Sequence, residues 1–286
     1  MPGPEYLSSI INFWRVYAGV NSKSSEKCKE FLSTIINTDK FPLSQLSSTT
    51  ASELSKVLEN SYRATNIAFI HEWGQFAEEI GVNLFEVIKA IKIRPTHSNI
   101  CRPGLGVGGY CLTKDPLMGF VSSNQIFKNN KMDFPLSKKA VEINSRMPKH
   151  TFNIAIANIK KKYNTPKILI LGVTYRDQVG DTRYSASIEL AKMFIKKGIS
   201  VSTHDPMVKE ELSPEFNYSR DLPKSSEFDV VIFTVAHTFY KELDLKDWLK
   251  GYEGFVLDSN NIFRDEEINI LNNLKINFKI IGRGDL

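Results

Sequence analysis

Cysteine is scarce in this 286-residue chain: there are three, Cys28, Cys101 and Cys111. An odd number at those spacings builds no disulfide framework and matches no zinc-ligand pattern, so no metal site is expected. With no stretch of signal-peptide character, the expectation is a reducing, cytoplasmic setting. Long hydrophobic runs are absent too, which excludes a membrane-spanning helix. Positive charge is in small excess, 37 Lys and Arg against 32 Asp and Glu. It is scattered through segments such as "KMFIKKG" and "NIKKKYN" rather than gathered with aromatics, which argues against nucleic acid as a partner. A mild positive balance suits a small anionic ligand. What remains is an ordinary globular composition, 42% hydrophobic and 24% charged, in a chain long enough for two domains.

Residues 104–115 read "GLGVGGYCLTKD" and contain G-x-G-x-x-G at Gly104, Gly106 and Gly109. A dinucleotide turn must follow a strand and open a helix. "RPTHSNICRP" before it is no strand core, and the helix start is expected only near Asp115, with Asp115 as N-cap and Pro116 in the first turn. The better reading is a bare glycine-lined backbone that a ligand approaches closely. The loop then delivers Cys111 beside a helix N-terminus and Lys114, a setting that favours a reactive thiolate.

Along the chain, "RVYAGV" (15–20), a helical stretch at 24–37 and an extended piece near 41–46 form one β-α-β unit. Such a unit needs neighbouring strands, so the chain is expected to begin inside a domain whose earlier strands are missing. Residues 51–92 are the clearest helical stretch. Leu54, Val57, Leu58, Ile67, Ala68 and Phe76 are placed on its apolar face, Gly81 ends it, and Asn83 caps a second helix. A long helix with a broad apolar stripe packs either internally or on a second copy of itself. Residues 136–163 predict another long helix, interrupted near "RMPKH". From "KILILGV" onward, strands at 167–173, within "ISVSTHDP" (199–206, a strand and turn), 228–235, 254–258 and 278–282 alternate with helices, one of them (185–198) closed by Gly198. This alternation predicts a doubly wound parallel sheet, with the polar loop "VTYRDQVGDTRYS" at the carboxyl end of its first strand, where such folds bind ligands.

Several of these segments resemble one family in the same order. "ELSKVLEN" with Lys56 and Asn60, "GVGGYCLTKDP" with Cys111, "GVTYRDQVGDTRYS", "HDPMV" and "FTVAHTFYKEL" are similar to the UDP-glucose/GDP-mannose dehydrogenases, the nucleotide-sugar 6-dehydrogenases. The resemblance implies an α/β fold. A remnant of an N-terminal NAD-binding Rossmann domain would occupy residues 1–50. A helical central domain at 51–135 would form a homodimer, and a Rossmann-like domain at 136–286 would hold the UDP-sugar. It also implies oxidation of a sugar C6 alcohol to a carboxylate with NAD. The catalytic glutamate of the family's "S-P-E-R-V" stretch would fall before Met1, and Glu5 in "GPEY" is a look-alike. The chain alone is expected to bind UDP-sugar without oxidising it.

By the same resemblance Cys111 is the thiohemiacetal and thioester nucleophile, a chemistry for which a thiolate is suited. Lys56 is the electrostatic or general acid/base group with Asn60 beside it, four residues apart on one helix face. Asp115 positions water with Lys56. Arg102, Gly104, Gly106 and Gly108 line the uridine-diphosphate side, Tyr175 and Arg176 meet the nucleotide sugar, and Lys114 and Arg183 reach toward NAD. Three positions depart from the family: Arg176 replaces a lysine, Asn260 in "DSNN" replaces an arginine, and His97 replaces another, with Arg94 nearby. The sugar is therefore left open between UDP-glucose and a UDP-N-acetylhexosamine. Two other readings stand beside this one. One is a non-catalytic nucleotide-sugar-binding and dimerisation module; the other is an unrelated thiol enzyme using His97 as base.

Overall fold

The computed structural model describes residues 5–127, 132–159, 165–209 and 212–286. Its first elements are α1 (Tyr6–Ile11), β1 (Val16–Tyr17), α2 (Ser22–Ser33) and β2 (Ser44–Gln45). Asn21 and Ser24 form a capping box at the start of α2, and β1 and β2 pair in parallel. The strand expected over 15–20 shrinks to two residues. A two-stranded sheet covers little: Leu7, Val20 and Phe31 are 70, 83 and 64% exposed, where parallel sheets bury both faces.

Helix α3 (Thr49–Glu79) follows, capped by Ser48 and closed at Gly81, where φ is +73°. The apolar stripe read from its sequence is divided between the two sides of the helix. Asn60, Ala64, Ala68, His71, Gly74 and Ala77 point inward, whereas Leu54, Leu58 and Phe76 are 61, 63 and 52% exposed. The reason is helix α7 (Pro135–Asn158), which packs along α3. Small residues permit that close approach, and Asn144 of α7 donates to the Ala64 carbonyl at 2.9 Å. Between them lie α4 (Leu84–Ile91), capped by Asn83 as its sequence predicts, α5 (Cys111–Lys114), a 3₁₀ turn (Asp115–Leu117) and α6 (Met118–Val121). Helix α7 runs unbroken through Pro148 to Asn158, so the interruption expected near "RMPKH" does not occur. Proline removes one helical hydrogen bond, but its ring is buried and lies against Gly106, whose added Cβ would sit 3.4 Å away. Residues 160–163 of that expected helix lie outside the described residues.

The remaining elements are β3 (Lys167–Leu171), α8 (Ala186–Lys196), β4 (Ser200–His204), β5 (Tyr218–Ser219), β6 (Val230–Phe233), α9 (Thr238–Lys241), α10 (Leu245–Trp248), β7 (Phe255–Asp258), α11 (Asp265–Asn273) and β8 (Asn277–Ile280). Strands β3 to β8 form one parallel sheet in the order β5-β4-β3-β6-β7-β8. Alternate residues of β3 face opposite cores. Ile168 and Ile170 meet Phe152, Leu190 and Phe194; Leu169 and Leu171 meet Tyr240, Leu249 and Leu271. The strand order reverses between β3 and β6, so the ligand crevice of the doubly wound sheet opens at their carboxyl ends. Glu78 of α3 pins the helical part to the end of the sheet: it accepts from the Gly282 N–H and meets His150 Nε2, each at 2.7 Å. Among the described residues no helix is long and apolar enough to cross a membrane.

Candidate active site

The glycine loop crosses the carboxyl edge of the sheet. Asn66 of α3 holds its start by accepting from the Cys101 N–H at 2.9 Å, and Leu105 is buried in the core beneath it. Each glycine meets protein rather than open space. A Cβ on Gly106 would lie 2.8 Å from the Ala186 Cβ; one on Gly108 would lie 2.7 Å from the Tyr184 carbonyl and 2.8 Å from the Tyr175 Cβ. One on Gly104 would stand 3.0 Å from Asn260 Oδ1, and Gly109 has φ +77° under the Tyr175 ring. The glycines thus also make a seam along which two loops pack.

The helical run begins at Cys111, not at Asp115. Asp115 is no N-cap. It lies buried inside the run, where its Oδ2 accepts from Asn60 Nδ2 and its Oδ1 from Lys114 Nζ, each at 2.6 Å. The hydrogen bond that Lys114 donates to Asp115 raises the Lys114 pKa above its ordinary value. Asn60 and Asp115, far apart in sequence, are therefore joined, with Cys111 exposed at the head of the same turn. Lys56 is not brought to Asp115: its ammonium pairs with Glu59 at 3.2 Å and its side chain is 62% exposed.

The loop after β3 faces this turn. Tyr175 and Arg176 are half-buried, and Arg176 Nε stands 3.8 Å from Asp177. Arg183 grips Asp181 at 2.7 Å and lies over the Tyr110 ring, 5.1 Å from its centroid. Tyr110 packs edge-on against Tyr184, centroids 4.8 Å apart. Arg183, Tyr110 and Cys111 therefore stand together, and Lys114 is one turn on. Asn260 reaches this edge from β7, donating to the Thr234 carbonyl at 3.2 Å. Asp258 below it is fully buried; burial lifts its pKa to about 6, against the backbone N–H groups of Phe263, Asn260, Ile262 and Asn261. Arg102 is exposed at the start of the loop. Arg94 and His97 sit on the exposed turn after α4, and their bonds are local, His97 N to the Arg94 carbonyl and the Thr96 hydroxyl to His97 Nδ1. Sequence reasoning missed the buried group of Asp205, Thr174 and His237 under the β3 loop. The quoted segments "HDPMV" and "FTVAHTF" contain two of its members.

The thiols differ in access. Cys111 is exposed and Cys28 and Cys101 are half-buried, and burial pushes the Cys101 thiol up. Alkylation at neutral pH is expected to label Cys111 first, read by peptide mass spectrometry; equal rates at all three would show that the loop confers no advantage.

With this geometry in place, comparisons with known proteins agree on one lineage. Residues 50–146 match the family model described as UDP-glucose/GDP-mannose dehydrogenase family, central domain, and residues 169–265 match that family's UDP binding domain. The chain is 30% identical over 289 aligned positions to the UDP-N-acetyl-D-mannosamine dehydrogenase of Methanococcus maripaludis, covering 99% of this chain and 63% of that protein. It is 32% identical to the Methanocaldococcus jannaschii enzyme of the same name, covering 93% and 59%. The solved NDP-N-acetyl-D-galactosaminuronic acid dehydrogenase of Methanosarcina mazei superposes with TM-score 0.82 at 26% identity, over 98% of this chain and 60% of that one. The chain thus spans less than two thirds of the relatives it matches. Two models of one family, matched in order over residues 50–146 and 169–265, place the chain in the UDP-glucose/GDP-mannose dehydrogenase family.

Proposed function

We propose that this chain supplies the sugar-nucleotide cleft and the thiol of an NAD-dependent UDP-sugar 6-dehydrogenase acting in a reducing, cytoplasmic setting. Residues 51–135 carry the catalytic turn and dimer helix, residues 136–286 the UDP-sugar domain, and residues 1–50 a remnant of the NAD-binding domain. The observation that carries this is the meeting of Cys111 and the Asn60–Asp115 pair with the ligand crevice of a doubly wound sheet. The relatives' names favour a UDP-N-acetylhexosamine over UDP-glucose.

Each residue has a task in that reading. Arg176 and Tyr175, with Arg102 and the loop backbone, hold the nucleotide sugar; Asn260, Arg94 and His97 are the positions that tune its sugar. At the aldehyde stage the Cys111 thiolate adds to C6, forming a C–S bond while the carbonyl oxygen gains a proton. Removal of hydride from that carbon together with the proton from its hydroxyl leaves a thioester, which water cleaves to the carboxylate and the free thiol. Asn60 and Asp115 orient the water, and Lys56, released from Glu59, stabilises the oxyanion. Lys114 and Arg183 flank the Tyr110–Cys111 step and reach toward NAD, which when bound would supply the hydride acceptor.

Calorimetry with UDP-glucose, UDP-N-acetylhexosamines and GDP-mannose tests the reading. UDP-sugars are expected to bind and GDP-mannose to fail; no binding by any UDP-sugar would overturn it. The 286-residue chain is expected to form no NADH from UDP-sugar and NAD. Turnover at an ordinary enzymatic rate, about 1 s⁻¹, would show that β1 and β2 suffice for the cofactor.

A further inference from the structure

Under the β3 loop lies a buried polar group that the proposed chemistry does not use. His237 and Asp205 have side chains with no exposure, their Nε2 and Oδ2 3.1 Å apart. Asp205 Oδ2 also accepts from the Val173 N–H at 2.7 Å, the Thr174 N–H at 3.0 Å and the Thr174 hydroxyl at 3.1 Å. Burial alone would raise the Asp205 pKa, but His237 and the backbone donors outweigh it and hold the carboxyl below its usual range. On the other side of the ring, His237 Nδ1 accepts the Gln178 N–H at 3.0 Å. A backbone N–H can only donate, so Nδ1 is the acceptor and Nε2 carries the proton, facing Asp205 Oδ2 at 3.1 Å and the Thr174 hydroxyl at 3.0 Å.

Gln178 is no relaxed residue. Its φ is +55°, in the left-handed region that side chains other than glycine seldom adopt. Such a conformation persists where its surroundings over-determine it. Here there are two latches, the N–H on His237 and Gln178 Oε1 accepting the Thr238 N–H at 3.1 Å. Between the anchored Thr174 and the latched Gln178 are only Tyr175, Arg176 and Asp177. A buried polar network is costly in a core that apolar residues could fill, and this one ties β3, β4 and the start of α9 to a single turn.

We propose that His237 is the positioning residue of the Tyr175–Gln178 turn, bridging Asp205 and the Gln178 N–H so that Tyr175 and Arg176 are held in the shape that binds a nucleoside diphosphate. This rests on the UDP-sugar reading above. It assigns His237 no contact with the ligand.

The two ring nitrogens are separable by substitution. His237→Asn keeps an acceptor at the Nδ1 position and loses the donor to Asp205; His237→Gln keeps a donor at the Nε2 position and loses the acceptor for Gln178. UDP binding to the 286-residue chain is measured by calorimetry, with circular dichroism and melting curves as the check on folding. His237→Gln is expected to bind about tenfold more weakly, the scale of one lost hydrogen bond, and His237→Asn within about threefold of the unaltered chain. Equal affinity in all three would overturn the proposal, as would parallel loss of binding and melting temperature in both variants, since His237 would then be core packing alone. Should neither variant fold, Gln178→Gly decides: it keeps the N–H but removes the second latch and frees the turn. About tenfold weaker UDP binding supports the proposal and unchanged binding overturns it. If the unaltered chain binds no UDP, the UDP-sugar reading fails and this proposal with it; if it binds UDP and His237→Gln binds equally well, the latch alone fails.

Discussion

Replacing Trp73 and Phe76 together by glutamate is expected to convert the chain from a dimer to a monomer at micromolar concentration, as read by light scattering. Leu54, Leu58, Tyr62, Phe69, Trp73, Phe76 and Ile80 run down the outer side of α3, each between 48 and 63% exposed. They recur at helical spacing, and the rings of Phe69, Trp73 and Phe76 touch in series at 6.2 and 5.9 Å. Seven such side chains on each of two copies, at roughly 100 Å² apiece, offer roughly 1,400 Å², close to the usual size of a stable interface, about 1,600 Å². At about 25 cal/mol per Å², two large side chains per copy carry a sizeable share of that burial. Four buried carboxylates would remove it and add a desolvation cost. Asn60 and Asp115 lie on the opposite side of α3, so UDP binding should survive the change. An unaltered chain that scatters as a monomer, or a double variant that remains a dimer, would refute the assignment of this stripe.

The same helix shows why part of the fold was legible and part was not. Strands such as "KILIL" are apolar on both faces, and only a sheet covered on both sides accommodates that, so the parallel sheet followed from sequence. Gly81, Asn83 and Gly198 act within a few residues of themselves, and each ends or caps its helix as local chemistry dictates. Strand β5 is two residues long, too short to leave a periodic signal. The apolar stripe read on α3 divides, with Ala68 buried and Leu54, Leu58 and Phe76 exposed, because hydrophobicity marks the surface to be covered, not what covers it. Next to α7 the helix needs small residues, and the large ones are left outside. Pro148 read as an interruption because its local effect on a helix is unfavourable; its packing on Gly106 is visible only in three dimensions.

The site divides in the same way. Cys111 is marked by its glycine neighbours, and Asn60 and Asp115 by family resemblance, but their 2.6 Å bond spans 55 residues. Lys56 was expected beside Asp115, and Glu59, one turn away, holds it instead. Asp115 looked like an N-cap because Pro116 follows it. The helical run starts four residues earlier, at Cys111, and frees the carboxylate for Asn60 and Lys114. His237 and Asp205 carry no local sign that they meet, since 32 residues separate them and each lies at the end of a different strand.

Gly108→Val is expected to weaken UDP-sugar binding by about a hundredfold, roughly 3 kcal/mol, the upper end for an overpacked site. The added Cβ would stand 2.7 Å from the Tyr184 carbonyl and 2.8 Å from the Tyr175 Cβ. Neither neighbour yields easily. Tyr184 is itself in the left-handed region at φ +55°, and Ser185 after it is the buried cap of α8. Thr174, before Tyr175, is anchored to Asp205. Relief therefore comes from lifting the 104–109 loop off the sheet edge, which separates Cys111 from Tyr175 and Arg176, the groups proposed to hold the sugar nucleotide. Gly198→Ala is the control. Its Cβ would meet nothing within 4 Å, but φ is +73°, so it should cost about 1 kcal/mol of stability and leave affinity unchanged. Calorimetry and thermal melts of the two variants separate a seam that shapes the cleft from a general loss of fold. Binding by Gly108→Val equal to that of the unaltered chain would mean that the seam between these two loops does not shape the cleft.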